Sequence, residues 1–107
     1  MAEVSPPPAE PRNRRLFLVE RFWPGVTPAL AAEAAGRLGA AAARFVEQGA
    51  RIRHVGSALL PDDEVVFAFV EADSVTSVRA LSDCAAFVAD RISESIPVEP
   101  WSSGRDE

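Results

Sequence analysis

Acidic side chains interrupt two of the most apolar segments of this sequence. Glu20 lies within the run LFLVERF, and Glu71 lies near the end of the run EVVFAFVEA. A carboxylate that is half-buried among Leu and Phe has a raised pKa, which suits a general base or a metal ligand. Together with Glu94 these residues could form an acidic cluster in the cleft of a sheet. The alternative is that each carboxylate is solvated or paired with an arginine such as Arg21 or Arg91, because structural ion pairs explain most residues of this kind.

His54 is the only histidine, and it lies between Arg51 and Arg53 in the middle of a predicted strand. An imidazole at this position could ligate a metal ion or transfer a proton near neutral pH. A metal site normally needs three or four convergent ligands, so an ordinary strand or interface position is the alternative. If the protein holds a divalent metal ion, His54 is its candidate ligand.

Two aromatic residues are candidates for the wall of a ligand pocket. Trp23 precedes Pro24 at the end of one predicted strand, and Phe67 lies inside another. Rings at such positions enclose an apolar ligand or cover the rim of the core. Cys84 lies among alanines on a predicted helix, where we expect a buried and unreactive side chain.

The composition excludes several kinds of chemistry. The 107 residues carry a net charge of −5, which argues against general nucleic-acid binding. All eleven basic residues are Arg and Tyr is absent, so neither a lysine Schiff base nor a phenolic acid is available. A single cysteine excludes an internal disulfide and is typical of a reducing compartment, which predicts a cytoplasmic protein. No apolar run approaches the roughly 18 residues of a membrane span, so we expect no membrane association.

Proline and polar residues are concentrated at the two ends of the chain. Residues 1–13 contain four of the nine prolines, which predicts a disordered Pro-rich arm. Residues 102–107 are polar and predict a disordered tail. The remaining residues, 14–101, are predicted to form one domain, small enough that a partner chain would help it to bury a core.

Hydrophobic periodicity predicts six elements in this domain. Thr27-Pro28 is typical of a helix start, Gly49 of a left-handed helix stop, and either Asp73 or Ser74 of a second helix cap. We predict strands over residues 16–22, 51–60, 64–72 and 92–98, and helices over residues 28–48 and 75–89. The spacing of apolar residues predicts that Leu30 on the first helix and Val88 on the second lie on the buried stripes.

The order β-α-β-β-α-β predicts an α+β fold of the ferredoxin-like type, a four-stranded antiparallel sheet with both helices on one face. Apolar residues occur on both faces of the strands predicted over residues 16–22 and 64–72. The sheet face without helices would therefore expose a large apolar surface, which is unusual for a monomer. We expect a symmetric homodimer that packs sheet against sheet, as in dimeric α+β barrels.

Several short segments resemble one known family. They are FLVER followed by Pro24-Gly25, RHVGS and PDDE in the predicted hairpin, Glu71-Ala72 at the end of the third strand, and DRISE over residues 90–94. Over residues 16–98 the chain resembles a domain-of-unknown-function family that includes an actinobacterial nickel-binding protein. The resemblance implies a dimeric ferredoxin-like subunit, and nickel binding in some members.

The chain departs from the nickel-binding members at two positions. Those members carry one histidine on the second strand and another on the second helix, where the aligned residues here are Gly56 and Leu81. His54 lies two residues from Gly56 and on the same face of the predicted strand, so it could replace one of the two histidines. One histidine per chain supplies few of the nitrogen donors that nickel prefers.

These observations predict a small dimeric protein that binds a small ligand or a divalent metal ion, more in keeping with a binding protein than with an enzyme. The carboxylates and the imidazole would coordinate or hydrogen-bond the ligand. The predicted cleft is bounded by Glu20, His54 and Glu71, by Arg91 and Glu94 from the last strand, and by the aromatic walls Trp23 and Phe67.

The alternative is a cofactor-independent enzyme of the dimeric α+β-barrel class, a hypothesis that rests on fold analogy. In a monooxygenase, cyclase or isomerase that acts on a small aromatic substrate, Glu20 or Glu71 would be the base. His54 would donate a proton and Arg91 would stabilise a developing oxyanion. A partner domain that docks through its Pro-rich arm is a third hypothesis.

Overall fold

The chain forms six elements in the order β-α-β-β-α-β, and the computed structural model describes residues 15–98. The strands are β1 (Arg15–Phe22), β2 (Ile52–Leu60), β3 (Val65–Ala72) and β4 (Arg91–Ser95), and the helices are α1 (Pro28–Glu47) and α2 (Val75–Cys84). Neither helix in this range is long and apolar enough to cross a membrane. The predicted arm over 1–13, the predicted tail over 102–107, and positions 14 and 99–101 of the predicted domain lie outside the described residues.

The four strands pair antiparallel in the order β2-β3-β1-β4. The ferredoxin-like α+β fold predicted from the sequence is thereby confirmed. The two central strands, β1 and β3, are rich in Phe and Val, residues that favour a pleated and half-buried surface.

Alternation along the strands divides their side chains between two faces. On the face that the helices cover, Phe17, Val19 and every second residue of β3 from Val66 are buried, and with Leu38 and Leu81 of the helices they form the core. We call this side of the sheet the helix face and the opposite side the open face. From the two central strands the open face carries Leu16, Leu18, Glu20, Phe22, Val65, Phe67, Phe69 and Glu71.

The predicted start and stop of α1 are confirmed. The hydroxyl of Thr27 accepts a hydrogen bond from the backbone N–H of Leu30 at 3.1 Å, and the helix begins at Pro28. Gly49 follows the helix with a φ of +97°, a conformation that glycine adopts without steric cost. The prediction that Leu30 is buried is wrong, since it is 39% exposed and α1 buries its first residue, Ala34, only one turn later.

Helix α2 is shorter than predicted, and this changes which of the neighbouring residues Phe87 and Val88 is buried. The helix ends at Cys84 rather than near residue 89, and Ala86 adopts a left-handed φ of +55°. The backbone N–H of Phe87 donates to the carbonyl of Ser82 at 2.9 Å, which closes the turn. As a result Phe87 is buried at 2% exposure, whereas Val88, predicted to be buried, is 59% exposed.

The last strand is also shorter than predicted. Strand β4 ends at Ser95, while the prediction extended it to residue 98. Pro97 has no N–H to donate to a neighbouring strand, which limits the pairing at this end. Ile96 and Val98 are accordingly 82% and 72% exposed.

Strand β2 contains an irregularity that changes the face of the sheet on which its first residues lie. His54 pairs with Val70 of β3, but Gly56 pairs with Phe69, so the register shifts between them. Because Val70 and Phe69 point to opposite faces, His54 lies on the helix face and Gly56 on the open face. The prediction that His54 and Gly56 share a face is therefore wrong.

Candidate functional site

The structure divides the predicted site residues between the two faces of the sheet. Glu20, Glu71, Arg91 and Phe67 lie on the open face, where Glu20 has Phe67 on one side and Arg91 on the other. His54 lies on the helix face. A single cleft that contains all the predicted ligands is therefore not formed within residues 15–98.

The two open-face carboxylates take part in ion pairs with arginines. Arg91 Nε lies 3.7 Å from Glu20 Oε2, and Arg53 Nε lies 3.2 Å from Glu71 Oε1. The carboxylate side chains are 27% and 30% exposed, so both pairs lie at the border of solvent. This geometry agrees with the structural alternative stated for these residues, and it leaves each carboxylate beside a cation rather than poised as a base.

Glu94 is separated from His54 by the width of the sheet. It lies on the helix face of the edge strand β4, opposite Phe17 of β1. Its two carboxylate oxygens accept hydrogen bonds from Arg15, from Nε at 3.1 Å and from Nη2 at 3.2 Å. His54 belongs to β2 at the other edge, and β3 and β1 lie between the two residues.

His54 lies at the junction of α1 and β2. Its Nε2 is 2.9 Å from the hydroxyl of Ser57, which the irregularity in β2 brings to the same face. Its Nδ1 lies 3.9 Å from the position that a Cβ would occupy at Gly39 of α1, so the absent side chain leaves the ring room. Burial lowers the pKa of His54 from its ordinary 6.5, while a backbone hydrogen bond at Gly56 acts in the opposite direction. The imidazole is therefore mainly neutral at pH 7.

A groove of about 540 Å³ lies beside His54, between the C-terminal half of α1 and the start of β2. This volume falls within the usual range for small-molecule sites, roughly 300–1,000 Å³. The small residues of α1 create the space, because Gly39, Ala42 and Ala43 leave the helix thin where it crosses the strand. The groove combines apolar walls, namely Ala42, Ala43, Val46 and Ile52, with the polar residues Arg51, Arg53 and His54. The guanidinium of Arg53 is paired with Glu71 on the open face.

The described residues do not assemble a metal centre. Among residues 15–98 there is no group of three or more His, Cys, Asp or Glu side chains that could hold a metal ion. The two positions at which histidines would be expected from the family resemblance differ in environment, since Gly56 faces the open side while Leu81 is fully buried in the helix-side core. Within one chain they lie on opposite sides of the sheet.

The predicted pocket wall Trp23 is already in contact with an arginine. The guanidinium carbon of Arg21 lies 3.7 Å from the centre of the Trp23 ring and 5.6 Å from that of Phe87. Its residue type indicates only a partner for a carboxylate, whereas the alternation Phe17, Val19, Arg21 places it on the helix face of β1. The contact with Trp23 could not be predicted from that alternation.

Cys84 is exposed, and the prediction that it is buried is wrong. It is the last residue of α2, and it lies between the exposed Asp83 and the buried Ala85. Arg44 of α1 directs Nη2 to its sulfur at 3.5 Å. This cationic neighbour is 40 positions away in the sequence, so no local pattern could indicate it.

The comparisons with known proteins identify no family for this chain, so its function is argued from the geometry of the site. No protein-family model, no curated protein and no solved structure matches the chain.

Proposed function

We propose that this protein is a small-ligand-binding protein whose site is the groove between α1 and β2. The observation that supports the proposal is the groove itself, which places one half-buried neutral imidazole and Arg51 beside apolar walls in a volume suited to a small molecule. Ligand sites typically have this combination of apolar lining and few polar groups.

The lining indicates the chemistry of the ligand. Ala42, Val46 and Ile52 favour an apolar body. A neutral imidazole offers one hydrogen-bond donor or acceptor, and the positive charge of Arg51 favours an anionic substituent. We propose a small, mainly apolar organic anion as the ligand.

The geometry supports binding over the enzymatic alternative. That alternative requires Glu20 or Glu71 at the substrate cavity as a general base. Both carboxylates lie on the open face and beside arginines, whereas the groove lies on the helix side, at His54. A general base must reach the proton that it removes, and these two carboxylates do not reach the groove.

The fluorescent anion 8-anilinonaphthalene-1-sulfonate is a suitable probe, because it combines apolar rings with one sulfonate. We expect a saturable fluorescence increase with the wild-type chain. Ala43→Leu adds bulk to an exposed residue that lines the groove and should weaken binding roughly tenfold or more, since a loss of about 1.4 kcal/mol is tenfold.

The matched control is Ala40→Leu, which adds the same bulk to an exposed residue of α1 that does not line the groove. Binding by this variant should equal that of the wild type. Equal affinities for Ala43→Leu and the wild type would refute the groove as the site.

We further propose that a second copy of the chain covers the open face. Apolar side chains of three strands share this face, among them Leu18, Phe67 and Leu60. The charged side chains there are paired within the chain, Glu20 with Arg91 at one corner and Arg53 with Glu71 at the diagonal corner, so a copy would meet no uncompensated charge. A two-fold axis is the usual way in which such a surface is covered.

The proposed dimer is the property that the family resemblance also implies, and we keep membership of that domain-of-unknown-function family as part of the proposal. Nickel binding is not part of the proposal. The two positions at which the nickel-binding members carry histidine are Gly56 and Leu81 here, and they lie on opposite sides of the sheet. A cytoplasmic location is proposed from the single cysteine, whose thiol is exposed and would stay reduced there.

A further inference from the structure

Two arginine side chains from different elements meet at the turn that follows α2. Arg21 comes from the helix face of β1 and lies over the rings of Trp23 and Phe87. Arg37 comes from α1, and its Nε donates to the carbonyl of Ala85 at 3.0 Å. Because Ala85 and Phe87 are two positions apart in one tight turn, the turn brings both guanidinium groups into the same neighbourhood.

Their positive charges are poorly compensated by the part of the chain that the structure describes. The guanidinium of Arg21 forms no hydrogen bond or ion pair within residues 15–98. Arg37 has one carboxylate contact in that range, with Glu33 at 4.0 Å, which is the weak limit of an ion pair. The carboxylate near Arg21 is Asp90, whose Oδ2 already accepts a hydrogen bond from the backbone N–H of Phe22 at 2.6 Å.

The energetics of Arg21 agree with this geometry. Burial lowers the pKa of Arg21 and the positive charge of Arg37 lowers it further, whereas the charge of Asp90 acts in the opposite direction. The charged form of Arg21 is therefore destabilised both by desolvation and by the like charge of Arg37. An anion between the two arginines would offset both effects.

The donors of Arg21 are not used by the described part of the chain. Its guanidinium carbon lies over the Trp23 ring, 3.7 Å from the ring centre, and a cation held on a ring face in this way keeps its hydrogen-bonding capacity for another partner. Arginine donors in this fixed arrangement match the oxygens of carboxylate and phosphate groups. The side chain of Arg37 is 40% exposed, which gives an anion access from solvent.

We propose that Arg21 and Arg37 form a binding site for a small oxyanion, either a carboxylate or a phosphate group. The site is separate from the groove beside His54, since neither arginine lines that groove. The proposal does not depend on the proposed function.

The test uses inorganic phosphate and acetate as separate probes, each added to the full chain against sodium chloride of equal ionic strength. NMR follows the Nε–H signals of the arginines and the indole signal of Trp23. We expect saturable shifts at Arg21, Arg37 and Trp23 with at least one of the two probes and no such shifts with chloride. Whichever probe binds more tightly identifies the group, phosphate for a phosphoryl ligand and acetate for a carboxylate.

Two substitutions complete the test. Arg37→Gln should weaken binding roughly tenfold or more, because a hydrogen bond to a charged group is worth about 1.5–3 kcal/mol. Arg79→Gln removes an exposed arginine of α2 and should leave binding unchanged. The proposal is refuted if neither probe gives a saturable shift, if chloride gives the same shift, or if the two variants bind equally well.

Discussion

Burial of the His54 imidazole between α1 and β2 changes its protonation, and this has a consequence for stability. The pKa is lowered from 6.5 in the folded protein, mainly because burial disfavours the charged ring. As the pH falls, the unfolded chain therefore takes up this proton before the folded chain does. The contribution of His54 to folding stability is present above about pH 6.5 and is lost as the pH falls toward the folded pKa.

The first prediction concerns this pH dependence. An NMR titration of the imidazole should give a pKa below 6.5. Urea unfolding of the wild type should show lower stability at about pH 5.5 than at about pH 7.5, and His54→Gln should show a smaller difference. Comparing the two proteins cancels the contribution of titrating carboxylates to the pH dependence, because both proteins contain the same carboxylates. A titration midpoint at or above 6.5 would contradict the account of His54.

At the scale of single residues, the sequence identified His54 but not its surroundings. Its residue type made it a candidate, whereas the groove depends on Gly39 and Ala43, which belong to another element. The same limit applies to Arg21 and Arg37, because they meet only through the turn after α2. Residue type can be read along a chain, but which charges come together depends on long-range packing.

At the scale of elements, the number, type and order of helices and strands could be predicted. Hydrophobic periodicity indicates each element, and capping and turn residues mark where many of them begin or end. Thr27-Pro28 and Gly49 mark the two ends of α1, and the alternation in β1 and β3 specifies their faces. The end of α2 could not be predicted in this way. Ala86 adopts a positive φ without being a glycine, so no residue type marks the helix stop.

The irregularity in β2 is the second feature that the pattern did not show. A strand with one extra residue looks continuous in sequence, yet every side chain before that residue changes face. This is why His54 lies toward α1 while Gly56 lies on the open face. The predicted cluster of His54 with Glu20 and Glu71 fails for this reason.

The second prediction tests where α2 ends. Phe87→Ala removes a ring that is 2% exposed and should lower the free energy of unfolding by about 3–5 kcal/mol. Val88→Ala truncates a side chain that is 59% exposed and should change it by less than about 0.5 kcal/mol. Urea unfolding measures both, and Phe87→Leu extends the comparison if Phe87→Ala does not fold. A larger loss for Val88→Ala would indicate a helix that continues to residue 89.

At the scale of the whole molecule, the two faces of the sheet have different surroundings. The helix face packs against α1 and α2, and a groove lies beside His54 on this side of the sheet. The open face combines apolar side chains with two ion pairs that are neutralised within the chain. The proposed ligand would occupy the groove, and the proposed second copy would cover the open face.

The third prediction is that the protein is a dimer at micromolar concentration. Sedimentation equilibrium should give twice the chain mass of 11.5 kDa. Ala58→Glu introduces a charge at an exposed position of the open face and should shift the protein to monomer, as should Phe67→Glu. The control Val88→Glu introduces the same charge at an exposed position away from the sheet and should remain dimeric.

Two outcomes would contradict the dimer. A wild-type chain that sediments as a monomer would show that no second copy covers the open face. A dimer that persists in both Ala58→Glu and Phe67→Glu would place the contact on another surface.

The most direct test of the division between the two faces is to map the binding of 8-anilinonaphthalene-1-sulfonate on the isotope-labelled protein by NMR. We predict saturable shifts concentrated in residues 39–54, with the imidazole of His54 among the signals that move, and none centred on Leu18 or Phe67. Shifts centred on those open-face residues, or no saturable shift at His54, would contradict the assignment of the groove as the ligand site.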